Sequence, residues 1–176
     1  LPTDIKLQKV LVGIETVAPT TETAPLPPTF AFPISGGTIA PDASSGIVQT
    51  TGGVRLVQVL GPGIETKMTL GNIWLDLGAK TATVEVIVES NVDPKLNLGN
   101  LGRSSIADVS LTGATVISDP SARTVTVNNA TATLQAVTAE TLNSVFGAPF
   151  DAKSIPHPKF APGDGLGTFS FTVQTQ

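Results

Sequence analysis

The 176-residue chain has no cysteine and no tyrosine, and it carries one histidine, one methionine and one tryptophan. The missing cysteines remove disulfides, thiol catalysis, cysteine-ligated zinc and iron–sulfur clusters in one step. A Ser-His-Asp arrangement needs a histidine oriented by a carboxylate. The single histidine, His157, stands between Pro156 and Pro158 on what reads as a rigid, irregular loop. One histidine without cysteine also argues against a protein-only zinc or non-haem iron site. Charged residues are only 14% of the chain and the net charge is −4, which argues against nucleic acid, whose binding draws on Lys and Arg contacts to phosphate. No apolar run reaches the ~18 residues of a membrane-spanning helix.

What the sequence does have is alternation. Val84, Val86 and Val88 point one way and Glu85, Ile87 and Glu89 the other, as in a half-buried strand. Similar runs cover Phe30–Ile34, Ile47–Gln49, Val54–Val59, Thr66–Leu77, Thr81–Glu89, Ile106–Ile117, Arg123–Asn128, Ala130–Val137 and Gly167–Gln174. Turn residues separate them: Ser35-Gly36-Gly37, Pro41 to Gly46, Thr51-Gly52-Gly53, Gly61-Pro62-Gly63, Asp76 to Lys80, a long Asn/Gly-rich loop over Asn91–Arg103, and Asp119 to Ala122. One helix is expected over 138–146, with Thr138 as cap, Glu140 in its first turn, Leu142, Val145 and Phe146 on one face, and Gly147 at its end. About ten short strands and one short helix predict an all-β, antiparallel β-sandwich, immunoglobulin-like or jelly-roll-like.

Candidate chemistry is sparse. Asp42, Asp93, Asp119 and Asp164 sit in turn contexts, where aspartate accepts backbone N–H bonds. Gly36-Gly37 and Gly52-Gly53 do not open helices and so lack phosphate-cradle geometry. Trp74, between Ile73 and Leu75, reads as core or half-buried, since sugar-stacking sites recruit several aromatics and aromatics are 5% of this chain. Asn129-Ala130-Thr131 matches a glycosylation acceptor. These readings point to a protein that is not an enzyme.

Two stretches carry a family resemblance. Phe30 through Ile39, with Ser45-Gly46-Ile47-Val48 and Gly52-Gly53-Val54-Arg55-Leu56, resembles the Phe-Pro-x-x-Gly-Gly opening of the HtaA family of haem-transport-associated domains. Leu134 through Thr168, with Leu142 to Gly147 and Phe160 to Thr168, resembles their C-terminal helix and closing strand. With Asn72 to Leu77, the likeness spans about residues 29–175. It implies an extracellular β-sandwich and, in the best-known members, haem held by a tyrosine with histidine support. This chain departs there: it has no tyrosine, and His157 and Met68 are the alternatives left for iron. The resemblance thus transfers the fold, with haem set against it.

The N-terminus suggests a different use. Residues 1–16 read as a strand, with Ile5, Leu7, Val10, Val12 and Ile14 alternating across one change of face, and 17–28 as a proline-rich linker before a sandwich domain over 29–176. In polyproline II, at about 3.1 Å per residue, that linker spans roughly 37 Å. The strand could fold back onto its own sheet, or pair with a neighbour's sheet edge and link copies into a filament. The expectation from sequence is an extracellular or cell-surface structural protein, freed of an export signal, without cofactor and with itself as partner. A haem or small-molecule binding domain is the alternative.

Overall fold

A computed structural model describes residues 12–23, 28–147 and 160–176. Twelve strands are formed among them: β1 (Val12–Val17), β2 (Thr21–Thr23), β3 (Thr29–Ala31), β4 (Ile34–Ile39), β5 (Gly46–Thr50), β6 (Gly53–Gly61), β7 (Ile64–Asp76), β8 (Thr81–Ser90), β9 (Gly99–Ser110), β10 (Thr115–Asp119), β11 (Thr124–Leu134) and β12 (Gly165–Gln174). One α-helix, α1 (Ala136–Gly147), and a 3₁₀ turn over Pro94–Leu96 complete them. Strand pairs throughout the ladder are antiparallel, and the fold is all-β and sandwich-like, as the alternation predicts.

The main sheet runs β1-β6-β7-β8-β9-β11-β10, with β12 added to β11, β5 to β7 and β4 to β5. The long β7 explains the shape. Its first half pairs with β6, from Gly53↔Gly71 to Gly61↔Ile64, and its end pairs with β5, from Gln49↔Trp74 to Ile47↔Asp76. β8 covers its other side along both halves. A parallel bridge Ile39↔Thr175 and a Gln176 N–H to Ile39 carbonyl bond of 3.0 Å bring β4 to the end of β12. The strands β4-β5-β7-β8-β9-β11-β12 thereby close on themselves.

Two cores follow. One fills the closed circuit: Ile39, Val48, Leu77, Ala82, Val109, Val125, Val127 and Val173 are among its buried side chains. The other lies on the inner face of β1, β6, β7 and β8, beneath α1. Each aliphatic side chain moved from water to core contributes about 1.5–3 kcal/mol before entropy is charged against it.

Several boundaries differ from the sequence expectation. The stretch 17–28 is not a plain extended linker: Val17 ends β1, and β2 pairs with β3 in a small hairpin, Glu22↔Phe30 at its centre. β1 folds back onto its own chain, with Val12↔Gln58 and Ile14↔Leu56, and Val12 is buried in the helix-covered core. Val12 and Ile14 thus serve the single chain's own packing, while Ile5, Leu7 and Val10 lie outside the described residues. The expected loop over 91–103 is shorter, because β9 already starts at Gly99 with its register Val88↔Gly99. The expected strand 106–117 is broken at Leu111–Ala114, where Gly113 adopts φ 80° and the Ala114 N–H bonds the Leu111 carbonyl. The two strands expected around Asn129 are one, β11, with a bulge at Asn129 (φ 60°). The helix starts two residues early, because the Gln135 carbonyl already accepts the Ala139 N–H; Thr138, the expected cap, instead reaches the Ser105 carbonyl, and Glu140 falls outside the first turn.

Candidate functional site

The helix-covered face is where sequence-distant elements converge on polar groups. α1 follows β11 without a loop, since the Gln135 N–H still bonds the β9 carbonyl of Ile106 and its side chain reaches Asp108 at 2.8 Å. The helix therefore leaves the sheet at a fixed angle and lays Ala139, Leu142, Val145 and Phe146 onto Leu56, Met68, Val84, Val86 and Val88. Asn143 then ties down the returning chain, donating to the Phe160 carbonyl at 2.8 Å and accepting the Phe160 N–H at 2.9 Å.

Within this apolar face sits Gln58, fully buried on β6. Its Nε2 donates to the Phe146 carbonyl at 2.7 Å, satisfying one of the carbonyls a helix C-terminus leaves open. Its Oε1 is buried without a partner. Beside it in the ladder, Gln58↔Thr66, the buried Thr66 hydroxyl shares a 2.7 Å hydrogen bond with that of Ser90. Asn91 then locks the two hairpin tips together, donating to the Gly63 carbonyl and accepting the Glu65 N–H at 2.8 Å. At this end of the molecule Val59, Ile64, Leu98 and Leu101 are each 45–49% exposed. The polar groups are buried beneath the helix, whereas Val59, next to Gln58 on β6, points to the opposite face of the sheet.

The outer face carries a second cluster, with a structural task. At the bulge where β7 changes partner, Asn72 takes φ 48° and its carbonyl leaves the ladder. Arg103 from β9 recovers it with a 2.9 Å bond, reaches the Thr83 carbonyl and hydroxyl, pairs with Glu85 at 3.3 Å, and lies 4.0 Å over the Trp74 ring. One face of Trp74 is thus occupied by Arg103, and the half-buried ring belongs to this bolt.

The other candidates resolve as turn chemistry or core. Hydrogen bonds from the Ser44 side chain and N–H hold Asp42 below the ordinary carboxylate range; those from the Ser121 side chain and the Ala122 N–H do the same for Asp119. Asp93 accepts the Lys95 N–H and Asp164 the Ala161 N–H. Asn129 is exposed at its bulge. Met68 is 2% exposed, packed opposite Leu56 and Val88. His157 lies outside the described residues. Among the described residues no group of three or more His, Cys, Asp or Glu could hold a metal ion. Gln58 was not legible beforehand: a polar residue in Val57-Gln58-Val59 reads as solvent-facing until the helix above it is known.

The sequence profile of the HtaA family, described as Htaa, matches residues 13–152. The chain belongs to the HtaA family. No curated protein sequence matches it. Among solved structures, it is similar to the domain-swapped dimer of a histidine-to-alanine variant of the C-terminal domain of HtaA from Corynebacterium glutamicum, at 15% identity and TM-score 0.57, covering 98% of this chain and 90% of that one. It is also similar to the C-terminal domain of HtaA from the same organism, at 16% identity and TM-score 0.53, covering 95% and 88%. At these identities the structural likeness carries the fold. The tyrosine-ligated haem that the HtaA resemblance implies does not fit the residues present: the chain has no tyrosine, and Met68 is sealed between sheet and helix.

Proposed function

We propose that this chain is a non-catalytic, haem-associated binding domain of the cell surface, and that it holds a porphyrin-class ligand by contact with the macrocycle and without a bond to iron. The observation that carries the reading is the HtaA family match over most of the chain, which favours binding over a purely structural role. The contact mode follows from the donor set. With no tyrosine and a buried methionine, recognition falls to apolar side chains such as Val59, Ile64, Leu98 and Leu101 around the Gln58 end. Titration of the chain with haemin and with iron-free protoporphyrin IX, followed by Soret absorbance and Trp74 fluorescence, tests this. Both are expected to bind with affinities within about threefold of each other, a difference below one decade of Kd, and His157→Ala is expected to leave both unchanged. Spectra that move for neither compound refute the proposal. Binding of haemin alone, lost in His157→Ala, refutes the contact mode.

A second reading, self-association by exchange of the N-terminal strand, is favoured by one observation. Among the described residues β1 is a terminal strand, hydrogen-bonded to β6 alone, so its place could be filled by the same segment of a neighbour at little cost in contacts. Light scattering of the full chain and of a chain lacking residues 1–16 is the check. Exchange predicts oligomers that persist on dilution in the full chain and disappear in the truncated one; a full chain that stays monomeric at high concentration removes this reading.

A further inference from the structure

The sheet has a second terminal strand, and its chemistry differs. All five residues of β10 are exposed, Val116 at 36% and Ile117 at 54%. Among the described residues β10 pairs with β11 alone, from Thr115↔Asn128 to Asp119↔Thr124. Among the described residues nothing pairs with its other edge, which presents backbone N–H and C=O groups outward. Natural edges are usually protected by lysine, proline, an inward charge or a bulge. β10 has none of these over Thr115-Val116-Ile117-Ser118; its one charge is Asp119 at the end, followed by Pro120 in the turn.

We infer that the β10 edge is a docking site for the same edge of a second copy, the two strands pairing antiparallel about a two-fold axis at Ile117. Three features select this occupant. A register centred on one residue places Ile117 opposite Ile117 of the second copy, with cross-strand Cβ atoms about 4.5–5.5 Å apart, so each covers the other's exposed surface. Such a register also matches the phase of the ladder automatically, because the residues whose N–H and C=O face outward on one strand face the same residues on the other. Charge is compatible as well: Asp119 falls opposite Thr115 and not opposite another carboxylate. The Asp119 Oδ1 is already turned into its own hairpin, accepting from the Ser121 N–H at 2.9 Å, the Ser121 hydroxyl at 2.6 Å and the Ala122 N–H at 3.1 Å.

The contact is small. Five residues make a ribbon of about 17 Å, well under the roughly 1,200 Å² of a stable standard interface. The pair is therefore weak and reversible, suited to chains held together at high local density, as on a surface. Its geometry leaves the Gln58 end and β1 untouched, so it is independent of both readings above.

Sedimentation of the full chain between about 10 μM and about 1 mM, which brackets weak affinities, tests the inference. The weight-average mass is expected to climb from 18.0 kDa toward twice that value and to fall again on dilution. Ile117→Lys and Ile117→Glu should each remain monomeric, because like charges then meet at the axis, while a mixture of the two should associate again. Both variants alter an exposed side chain, so their melting curves should overlay that of the parent chain. A parent chain that is monomeric at about 1 mM, a dimer indifferent to Ile117→Lys, or a mixture that fails to associate would each overturn the inference. A strand-exchanged dimer would instead survive dilution and ignore residue 117, which keeps the two forms of self-association apart.

Discussion

Replacing Gly37 by alanine is expected to cost the protein about 2–5 kcal/mol, as a positive-φ penalty of about 1–2 adds to an overpacking penalty of about 1–3. Gly37 sits on β4 at φ 96°. A Cβ there would collide with the Ile47 carbonyl oxygen, and would stand 2.9 Å from the Ile47 carbonyl carbon and 3.1 Å from the Val48 Cα. These are backbone atoms of the paired strand, so no rotamer change relieves the clash. β5 would have to move away, and with it Val48 and the β4–β12 closure at Ile39, both at the centre of the closed core. Set against a total stability of about 5–15 kcal/mol, such a loss should lower the melting temperature by roughly 10 °C in a chain of this size. Gly63 provides the comparison. It has φ 70° in the β6–β7 hairpin, but a Cβ there meets nothing within 4 Å. Gly63→Ala should therefore show the conformational penalty alone, about 1–2 kcal/mol. Thermal or denaturant melts of the two variants measure the difference; equal losses would show that the close approach at Gly37 carries no energy.

That pair of glycines shows what the sequence made readable. Gly36-Gly37 could be recognised from pattern, as part of a Phe-Pro-x-x-Gly-Gly stretch, but as a turn; the structure runs β4 through it and supplies the cause of the glycines, a close backbone approach to β5 at Gly37. The strand alternation of β7 and β8, the Asp76–Lys80 hairpin with Asp76 accepting the Ala79 N–H at 2.8 Å, and the helix face of Leu142, Val145 and Phe146 were legible for the same reason, since each is a local rule of period or turn chemistry. Features that depend on distant partners were not. The closure of the strand circuit rests on Ile39 meeting Thr175, and the break in the strand after Ser110 only makes sense against the bulge at Asn129 in β11. The proline-rich run concealed β2 because a three-residue strand has too few alternations to read, and its pairing with β3 is what defines it. The candidate site was the least visible part. Arg103 falls at the end of the expected 91–103 loop, whereas β9 places it over Trp74, and nothing local to Val57-Gln58-Val59 shows that a helix covers Gln58.

Gln58 also supports the second large effect. Gln58→Glu keeps the shape of the side chain and removes the donor that meets the Phe146 carbonyl at 2.7 Å. An ionised carboxylate there would face that carbonyl with no partner inside an apolar core formed by Val12, Met68 and Phe146. The expected cost at neutral pH is about 3–5 kcal/mol, the range for an uncompensated buried charge. Burial disfavours the charged form and raises the folded-state pKa of such a carboxyl above its unfolded value. The sign of the pH dependence follows: over the window between the two values the folded state holds more protons, so stability falls as pH rises through it and is recovered below the unfolded value of about 4.3. Protonation also returns a donor to the Phe146 carbonyl. Gln58→Leu separates the two contributions. It deletes the orphaned Oε1 along with the donor, so its loss should be smaller, about 1–3 kcal/mol for the carbonyl left unpaired, and flat with pH. Denaturant melts of both variants from about pH 4 to pH 8, spanning the ordinary carboxyl range, decide the matter. A Gln58→Glu chain as stable as the parent at neutral pH would mean that water reaches this end of the core, and the contact surface proposed for the ligand would then be wetter than an apolar macrocycle requires.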